Sequence, residues 1–154
     1  MYLLDTDVVS ELRKTGSGKA DAGVVSWAGS VEANSLFISV ISVLELEIGI
    51  LSMERRNASQ GAVLRTWMDN HVLPAFVERV LPIDTAVAKR CAMLHIPDPK
   101  SDRDALIAAT ALVHGMAVVT RNTADFLPTG VEVVNPWTSN KPPSSPTSNP
   151  SSPA

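Results

Sequence analysis

Four acidic residues stand at positions in this sequence where side chains could do chemistry: Asp5, Glu45, Asp104 and Asp125. Asp5 and Asp125 closely follow short apolar runs typical of strands, whereas Glu45 and Asp104 lie near the beginning of largely apolar helical segments. Carboxylates gathered at one place repel one another, and they remain ionised together only around a divalent cation. Because oxygen ligands suit Mg²⁺ or Mn²⁺ better than Zn²⁺, we expect a magnesium site, with manganese as a substitute, if the fold brings the four together.

A structural explanation competes with the chemical one for three of these acids. In a capping box, a polar residue before a helix and an acid three positions later bond to free amide groups at the start of the helix. The sequence shows this spacing in Ser42-Val-Leu-Glu45, Ser101-Asp-Arg-Asp104 and Asn122-Thr-Ala-Asp125. Taken singly, each acid fits a helix cap better than a catalytic group, so their convergence in space is what would favour chemistry.

The surroundings of Glu45 favour a buried, functional position. On a helix over residues 42–56, apolar side chains form one stripe, made of Ile41, Leu44, Ile48 and Leu51. Small residues lie beside Glu45 in a second strip, made of Ser42, Gly49 and Ser52. Apolar residues occupy much of the remaining circumference, so we expect this helix to be buried nearly all round. A buried acid is costly unless it is paired or bound to a cation, and the small neighbours would leave room for an ion.

Short strand-like runs alternate with longer helical segments along the chain. The predicted strands are residues 2–5, 36–39, 80–84, 116–120 and 131–135. The predicted helices begin at Val8 and cover 20–31, 42–56, 58–79 with a break or kink at Pro74, 85–95 and 102–114. This alternation predicts an α/β domain with a mostly parallel sheet of about five strands. Such sheets place their chemistry at the carboxyl ends of the strands, where Asp5 stands.

Composition limits the class of protein. The chain has 154 residues, of which 45% are hydrophobic and 19% charged, as expected for one globular domain without a membrane-spanning segment or a secretory signal. A single cysteine, Cys91, excludes an internal disulfide and fits a reducing cytoplasm, and we interpret it as a core residue. The net charge of −3 argues against a strongly basic nucleic-acid binder, although an acidic site would lower the total without removing local basic patches.

The C-terminal segment differs from the rest of the sequence. From Ser139 it reads SNKPPSSPTSNPSSPA, rich in proline and serine and nearly free of apolar side chains. Such a segment cannot bury enough surface to offset the entropy of the chain. We therefore expect a folded domain over residues 1–137 and a disordered tail over residues 138–154.

Four segments of the sequence together resemble a known family. They are LLDTDVVSEL at 3–12, ISVISVLELEIGI at 38–50, DALIAATALVHGMAVVTRNTADF at 104–126 and VEVVNPW at 131–137. In this order and at these separations they resemble the PIN-domain family, especially its VapC-like and FitB-like toxins. The resemblance implies a PIN-like three-layer α/β/α sandwich around the parallel sheet.

The resemblance also implies roles for individual residues. Asp5 and Asp104 match the metal ligands of the family, and Glu45 and Asp125 match its other catalytic acids. Some relatives have an acid where this chain has Asn122, which leaves two candidates for the fourth position. Thr6 and Thr120 match small hydroxyl residues that support the site.

By resemblance, the chain is expected to be the toxin of a type II toxin–antitoxin pair and a Mg²⁺-dependent cytoplasmic endoribonuclease that hydrolyses RNA phosphodiester bonds. Expected partners are a small antitoxin, often of ribbon-helix-helix type, operator DNA reached through that antitoxin, and a second copy of the chain. The apolar helices within residues 42–79 are the expected dimer face.

Two alternatives remain open at this point. A non-catalytic or weakly catalytic FitB-like partner in a DNA-binding antitoxin complex would share the same sequence pattern. A haloacid-dehalogenase-like phosphatase would explain the pair Asp5 and Asp7 after a strand, but none of the four lysines in the body of the domain precedes the further acidic pair that this chemistry needs.

Overall fold

A parallel sheet of five strands forms the centre of the molecule. The computed structural model describes residues 1–137, and the predicted tail lies outside them. The strands are β1 (Tyr2–Leu4), β2 (Leu36–Ser39), β3 (Val80–Leu81), β4 (Ala117–Val119) and β5 (Val133–Val134), in the order β3-β2-β1-β4-β5. Tyr2 at the start of β1 pairs with Leu36 on one side and with Ala117 on the other. All four pairings are parallel. Parallel strands need long crossover connections, and helical segments provide them here.

Helices cover both faces of this sheet. They are α1 (Thr6–Leu12), α2 (Ala22–Ser30), α3 (Val40–Arg56), α4 (Ala58–Trp67), α5 (Leu73–Ala75), α6 (Thr85–Leu94), α7 (Asp102–His114) and α8 (Thr123–Phe126). Leu4 and Val119 pack into a core with side chains of α1 to α4, whereas Leu3 and Val118 pack into a second core with α7 and α8. This alternation along β1 and β4 confirms the predicted three-layer α/β/α sandwich.

Several predicted boundaries are wrong. Helix α1 begins at Thr6 instead of Val8, and β3 and β5 are shorter than the strands predicted over 80–84 and 131–135. Helix α3 begins at Val40, because Ser39 at the end of β2 caps it by accepting a hydrogen bond from the Ile41 N–H at 3.0 Å. The single helix predicted over 58–79 divides into α4, a π-helical turn over Met68–Val72 and the short α5, in which Pro74 occupies the first turn. Proline fits there because the first amides of a helix have no partner within the helix.

Helix α3 is also less buried than its composition predicts. Its core face consists of Ile41, Leu46 and Ile50, whereas the apolar side chains at 44, 48 and 51 are between 40% and 57% exposed. The reason is geometric: the sheet covers one side and α4 another, and no described segment covers the outward stripe. Cys91, by contrast, lies in the core between α6 and α7 as predicted, and burial raises the pKa of its thiol.

Candidate active site

Asp5 is built into the carboxyl edge of the sheet. Its backbone N–H donates to the carbonyl of Val119 at the end of β4, at 2.9 Å. Its Oδ1 accepts from the N–H of Thr6 at 2.8 Å and so caps α1, while Oδ2 accepts from the hydroxyl of Thr120 at 2.8 Å. The residue is only 6% exposed. Burial, and then the charge of Asp7, raise the pKa of Asp5 to about 7, against the two hydrogen bonds that lower it.

Glu45 lies in the second turn of α3 and faces the start of α1. Its Oε1 accepts a short hydrogen bond of 2.6 Å from the hydroxyl of Thr6, which also lies 2.9 Å from the hydroxyl of Ser42. Its Oε2 lies 3.6 Å from a guanidinium nitrogen of Arg103. The capping interpretation of Ser42 and Glu45 is therefore wrong: α3 starts two residues earlier, so Ser42 is buried inside the first turn and faces Thr6 instead of free amides.

Asp104 links the other acids electrostatically. It stands in the first turn of α7, where burial raises its pKa, and the nearby charges of Asp125 and Glu45 raise it further. Asp104 in turn contributes to raising the pKa of Asp5. Ser101 precedes α7 without making a side-chain capping hydrogen bond. Asp104 thus interacts electrostatically with each of the other three predicted acids.

The segment after β4 supplies the remaining predicted residues. Besides its bond to Asp5, the Thr120 hydroxyl accepts from the N–H of Asn122 at 3.0 Å. The carbonyl of Asn122 accepts from the N–H of Asp125 at 3.1 Å, but the Asn122 side chain makes no capping hydrogen bond. Asp125 lines a shallow cleft together with Asp104, Ser101 and Lys100. Of the two candidates for the fourth position, Asp125 is the one that shifts the pKa of Asp104.

Asp7 is the residue whose place sequence reasoning missed. Its Oδ2 accepts from the backbone N–H of Arg121 at 3.0 Å, which ties α1 to the segment after β4. Its Oδ1 is buried without a hydrogen-bond partner among residues 1–137. Burial raises the pKa of Asp7, and the Arg121 amide partly opposes this. Asp7 is thus held to the segment after β4 by a backbone amide. The only sign of this residue in the sequence was its spacing from Asp5, which the phosphatase alternative used.

The donor set suits a hard divalent cation. The donors in this region are carboxylate and hydroxyl oxygens. Burial raises the pKa values of Asp5, Asp7 and Asp104, and neighbouring carboxylates raise those of Asp5 and Asp104 further. One buried oxygen of Asp7 lacks a partner among the described residues. Within residues 1–137, however, no three Asp, Glu, His or Cys side chains already converge as a metal cage. Glu45 is engaged instead by the Thr6 hydroxyl and lies 3.6 Å from the guanidinium of Arg103.

Comparison with known proteins decides the family. The sequence profile of the PIN domain matches residues 2–127. The chain belongs to the PIN domain family. It is 34% identical to the VapC ribonuclease Y4jK of Sinorhizobium fredii over 89% of this chain and 98% of that protein. Toxin FitB of Neisseria gonorrhoeae is also 34% identical, with 89% and 99% of the two chains covered. The structure of FitAB bound to an IR36 DNA fragment matches with a TM-score of 0.79 at 34% identity, over 89% of this chain and 96% of that chain.

Membership of the PIN family confirms the resemblance inferred from the four sequence segments. In this PIN domain, α1, α3, α7 and the segment after β4 each supply part of the acidic region. Thr6 and Thr120, which the resemblance marked as supporting residues, each donate a hydrogen bond to one of the acids, Glu45 and Asp5 respectively. No helix within the described residues is long and apolar enough to cross a membrane.

Proposed function

We propose that this PIN domain is the toxin of a type II toxin–antitoxin pair and a Mg²⁺-dependent endoribonuclease. The observation that carries the proposal is the group of mutually repelling, partly buried carboxylates at the sheet edge of a chain that belongs to this family. The similarity to a protein named as a VapC ribonuclease supports RNA as the substrate.

In this proposal each acid has a separate task. Asp5 and Asp104 hold the cation, and the Thr120 hydroxyl keeps Oδ2 of Asp5 in place. Glu45, held by Thr6, orients the attacking water and accepts its proton, with Asp125 completing the site. A bound Mg²⁺ or Mn²⁺ supplies a lower pKa for that water and neutralises charge on the phosphate and the leaving oxygen. No nucleophilic serine or cysteine is needed, so water attacks phosphorus directly.

The partner in this proposal is a small antitoxin, of ribbon-helix-helix type, through which the toxin reaches operator DNA in the cytoplasm. The relative solved as FitAB bound to a DNA fragment supports an assembly of this kind. An apolar groove beside Glu45 offers the antitoxin a surface, and it is lined by Val9, Leu12, Trp67, Val72 and Phe76. It meets the Glu45 cleft at Trp67 and Arg13, so a bound segment would reach the mouth of the site.

We further propose a homodimer formed through α3 and α4. Leu44, Ile48 and Leu51 form an exposed apolar stripe on α3, and Val63 on α4 is 57% exposed. Contiguous apolar surface of this kind marks an interaction face. Analytical ultracentrifugation of the chain and of Leu51→Glu should show a dimer and a monomer respectively; a monomeric starting protein would contradict this part of the proposal.

The function is tested by incubating mixed cellular RNA with the purified, antitoxin-free protein in Mg²⁺, Mn²⁺ or EDTA. Asp5→Asn and Asp104→Asn serve as site variants. Discrete metal-dependent cuts that both variants lose are the expected result. Absence of cuts by a folded protein that binds Mn²⁺ would favour the alternative of a weakly catalytic partner in a DNA-binding complex, which the FitAB–DNA relative makes worth testing. Hydrolysis of a small phosphate monoester with RNA untouched would favour the phosphatase.

A further inference from the structure

Arg103 is a cation in the acidic region whose position the proposed chemistry does not use. Arg103 directly precedes Asp104 in the first turn of α7, and its guanidinium lies 3.6 Å from Oε2 of Glu45. Its side chain is 50% exposed, whereas that of Glu45 is 26% exposed. Arg103 is thus the more exposed partner of this ion pair.

Two other arginines show what a structural arginine looks like in this chain. Arg65 binds both oxygens of Glu47 at 2.7 and 2.9 Å and both oxygens of Glu54 at 3.2 and 3.3 Å. Arg79 donates to the backbone carbonyls of Ala33, Leu36 and Ala75. Each makes at least three hydrogen bonds through its guanidinium. Arg103 makes one contact among the described residues, longer than a hydrogen bond, so most of its donors are directed to solvent.

This contact is easily exchanged for a better one. A half-exposed ion pair without good hydrogen-bond geometry contributes little to stability. A phosphodiester offers the guanidinium two oxygens in the geometry that it binds best, and arginine remains charged at any working pH. If Glu45 turned toward a cation held by Asp5 and Asp104, Arg103 would lose its partner, whereas its backbone would stay beside Asp104.

A second cation extends the same surface. Lys100 lines the cleft that contains Asp104 and Asp125, one turn before Arg103 along the chain. Together, Lys100 and Arg103 place positive charge along the rim of an acidic site that would otherwise repel a polyanion. The net charge of −3 for the whole chain does not reveal this rim.

We infer that Arg103 is a substrate-contacting residue: it pairs with Glu45 in the resting site and binds a phosphate oxygen of the RNA backbone in the complex. This rests on the proposed ribonuclease function and adds a residue that fixes the RNA at the site. Because the contact is to the backbone, it should strengthen binding for all sequences about equally.

The test uses Arg103→Gln, which removes the charge, and Arg103→Lys, which keeps the charge but loses the fork. Arg55→Gln is the matched control, since Arg55 is exposed on α3 about 15 Å further along the helix than Glu45. All are made in the Asp5→Asn background for binding, so that RNA is not cut, and in the native background for cleavage.

The deciding measurement is the salt dependence of binding to a pool of mixed-sequence single-stranded RNA, by fluorescence anisotropy. Loss of one phosphate contact should weaken binding about 5- to 20-fold and lower the slope of log K against log salt by about 0.7. Arg103→Lys should recover most of the slope and part of the affinity, and Arg55→Gln should match the parent.

A second measurement needs no RNA. Mn²⁺ binding by calorimetry should be about two- to fivefold tighter in Arg103→Gln, because a cation that competes for Glu45 has been removed. If the parent cleaves RNA but Arg103→Gln binds RNA with the parent's affinity and salt dependence, the inference about Arg103 is wrong and the proposed function still stands. Weaker Mn²⁺ binding would overturn the resting pair with Glu45. A parent that neither binds nor cleaves RNA would overturn the proposed function, and the phosphate contact with it.

Discussion

The acids of helix α3 have two kinds of surroundings. Glu47 and Glu54 face α4, where Arg65 binds each of them with a pair of hydrogen bonds of 2.7 to 3.3 Å. Glu45, two residues from Glu47, faces α1 and α7 and receives one hydroxyl and a guanidinium at 3.6 Å. Glu47 and Glu54 join α3 to α4 through Arg65. Glu45 belongs to the region in which burial raises the pKa values of Asp5 and Asp104.

The difference shows how structural and functional acids can be told apart. A structural acid receives its full complement of donors from the protein, because leaving it unpaired would cost stability. An acid that must bind a cation is left under-compensated by its own chain, and its pKa rises in consequence. The Arg65 cluster and the acidic region are therefore expected to respond differently to metal and to neutralising substitutions.

The largest expected effect is on the pH dependence of stability. The pKa of Asp5 is raised from its ordinary 3.8 to about 7 by folding. Between these values the unfolded chain releases the proton first, so the free energy of unfolding falls as the pH rises from about 4 to about 7, by about 4 kcal/mol from this residue. The measurement is urea unfolding of the parent and of Asp5→Asn in metal-free buffer at several pH values. The free energy of unfolding of the parent should fall by this amount, relative to that of Asp5→Asn, as the pH rises over this range. A difference that stays constant between pH 4 and pH 8 would contradict the raised pKa, and adding Mg²⁺ at pH 8 should restore the stability of the parent.

The next effect separates the two sets of acids by activity. Asp5→Asn should lower the rate of RNA cleavage by about 10²–10³-fold, the range measured when an electrostatic contact to a transition state is lost. Glu47→Gln, a change of the same kind at an Arg65-bound acid, should leave the rate unchanged. Single-turnover cleavage of an identified RNA measures both. Equal losses in the two variants would mean that the comparison does not separate function from structure.

A third prediction concerns how closely α3 and α4 pack. Gly61 has no side chain, and a Cβ at this position would lie 2.5 Å from the Cα of Glu54. Gly61→Ala must therefore separate the two helices near Arg65, with an expected loss of about 1–3 kcal/mol. Ser59→Ala, at an exposed position on α4, is the control. Thermal unfolding should show the loss, while Mn²⁺ affinity at the acidic region should remain as in the parent.

Local sequence patterns were enough for much of this architecture. Alternating strand-like and helical segments predicted the five-stranded parallel sheet, and the junction after β1 marked Asp5. The start of α3 was missed because Ser39 and Ser42 are both plausible caps, and only the end of β2 selects Ser39. The exposure of α3 was missed because an apolar stripe has the same pattern whether it faces a core or another molecule. Composition likewise gave no sign that Arg65 would bind two acids of α3 or that Arg103 would lie beside Glu45, since both contacts join distant segments.

The smallest effect tests whether Glu45 is held in place for chemistry. The hydroxyl of Thr6 donates to Oε1 of Glu45 at 2.6 Å, the shorter of the two side-chain contacts described for this carboxylate. Thr6→Val preserves the shape of the side chain and removes the donor that orients Glu45. Cleavage should therefore fall about tenfold, the lower end of the effect of losing a residue that orients a group at a metal site. Thr6→Ser keeps the hydroxyl and should retain most of the rate. Because Thr6 is only partly buried, the valine variant should unfold at nearly the same temperature as the parent. If the valine variant kept the rate and the serine variant lost it, the methyl group of Thr6 would be the important part, and Glu45 would be positioned by packing, as an ordinary structural residue is.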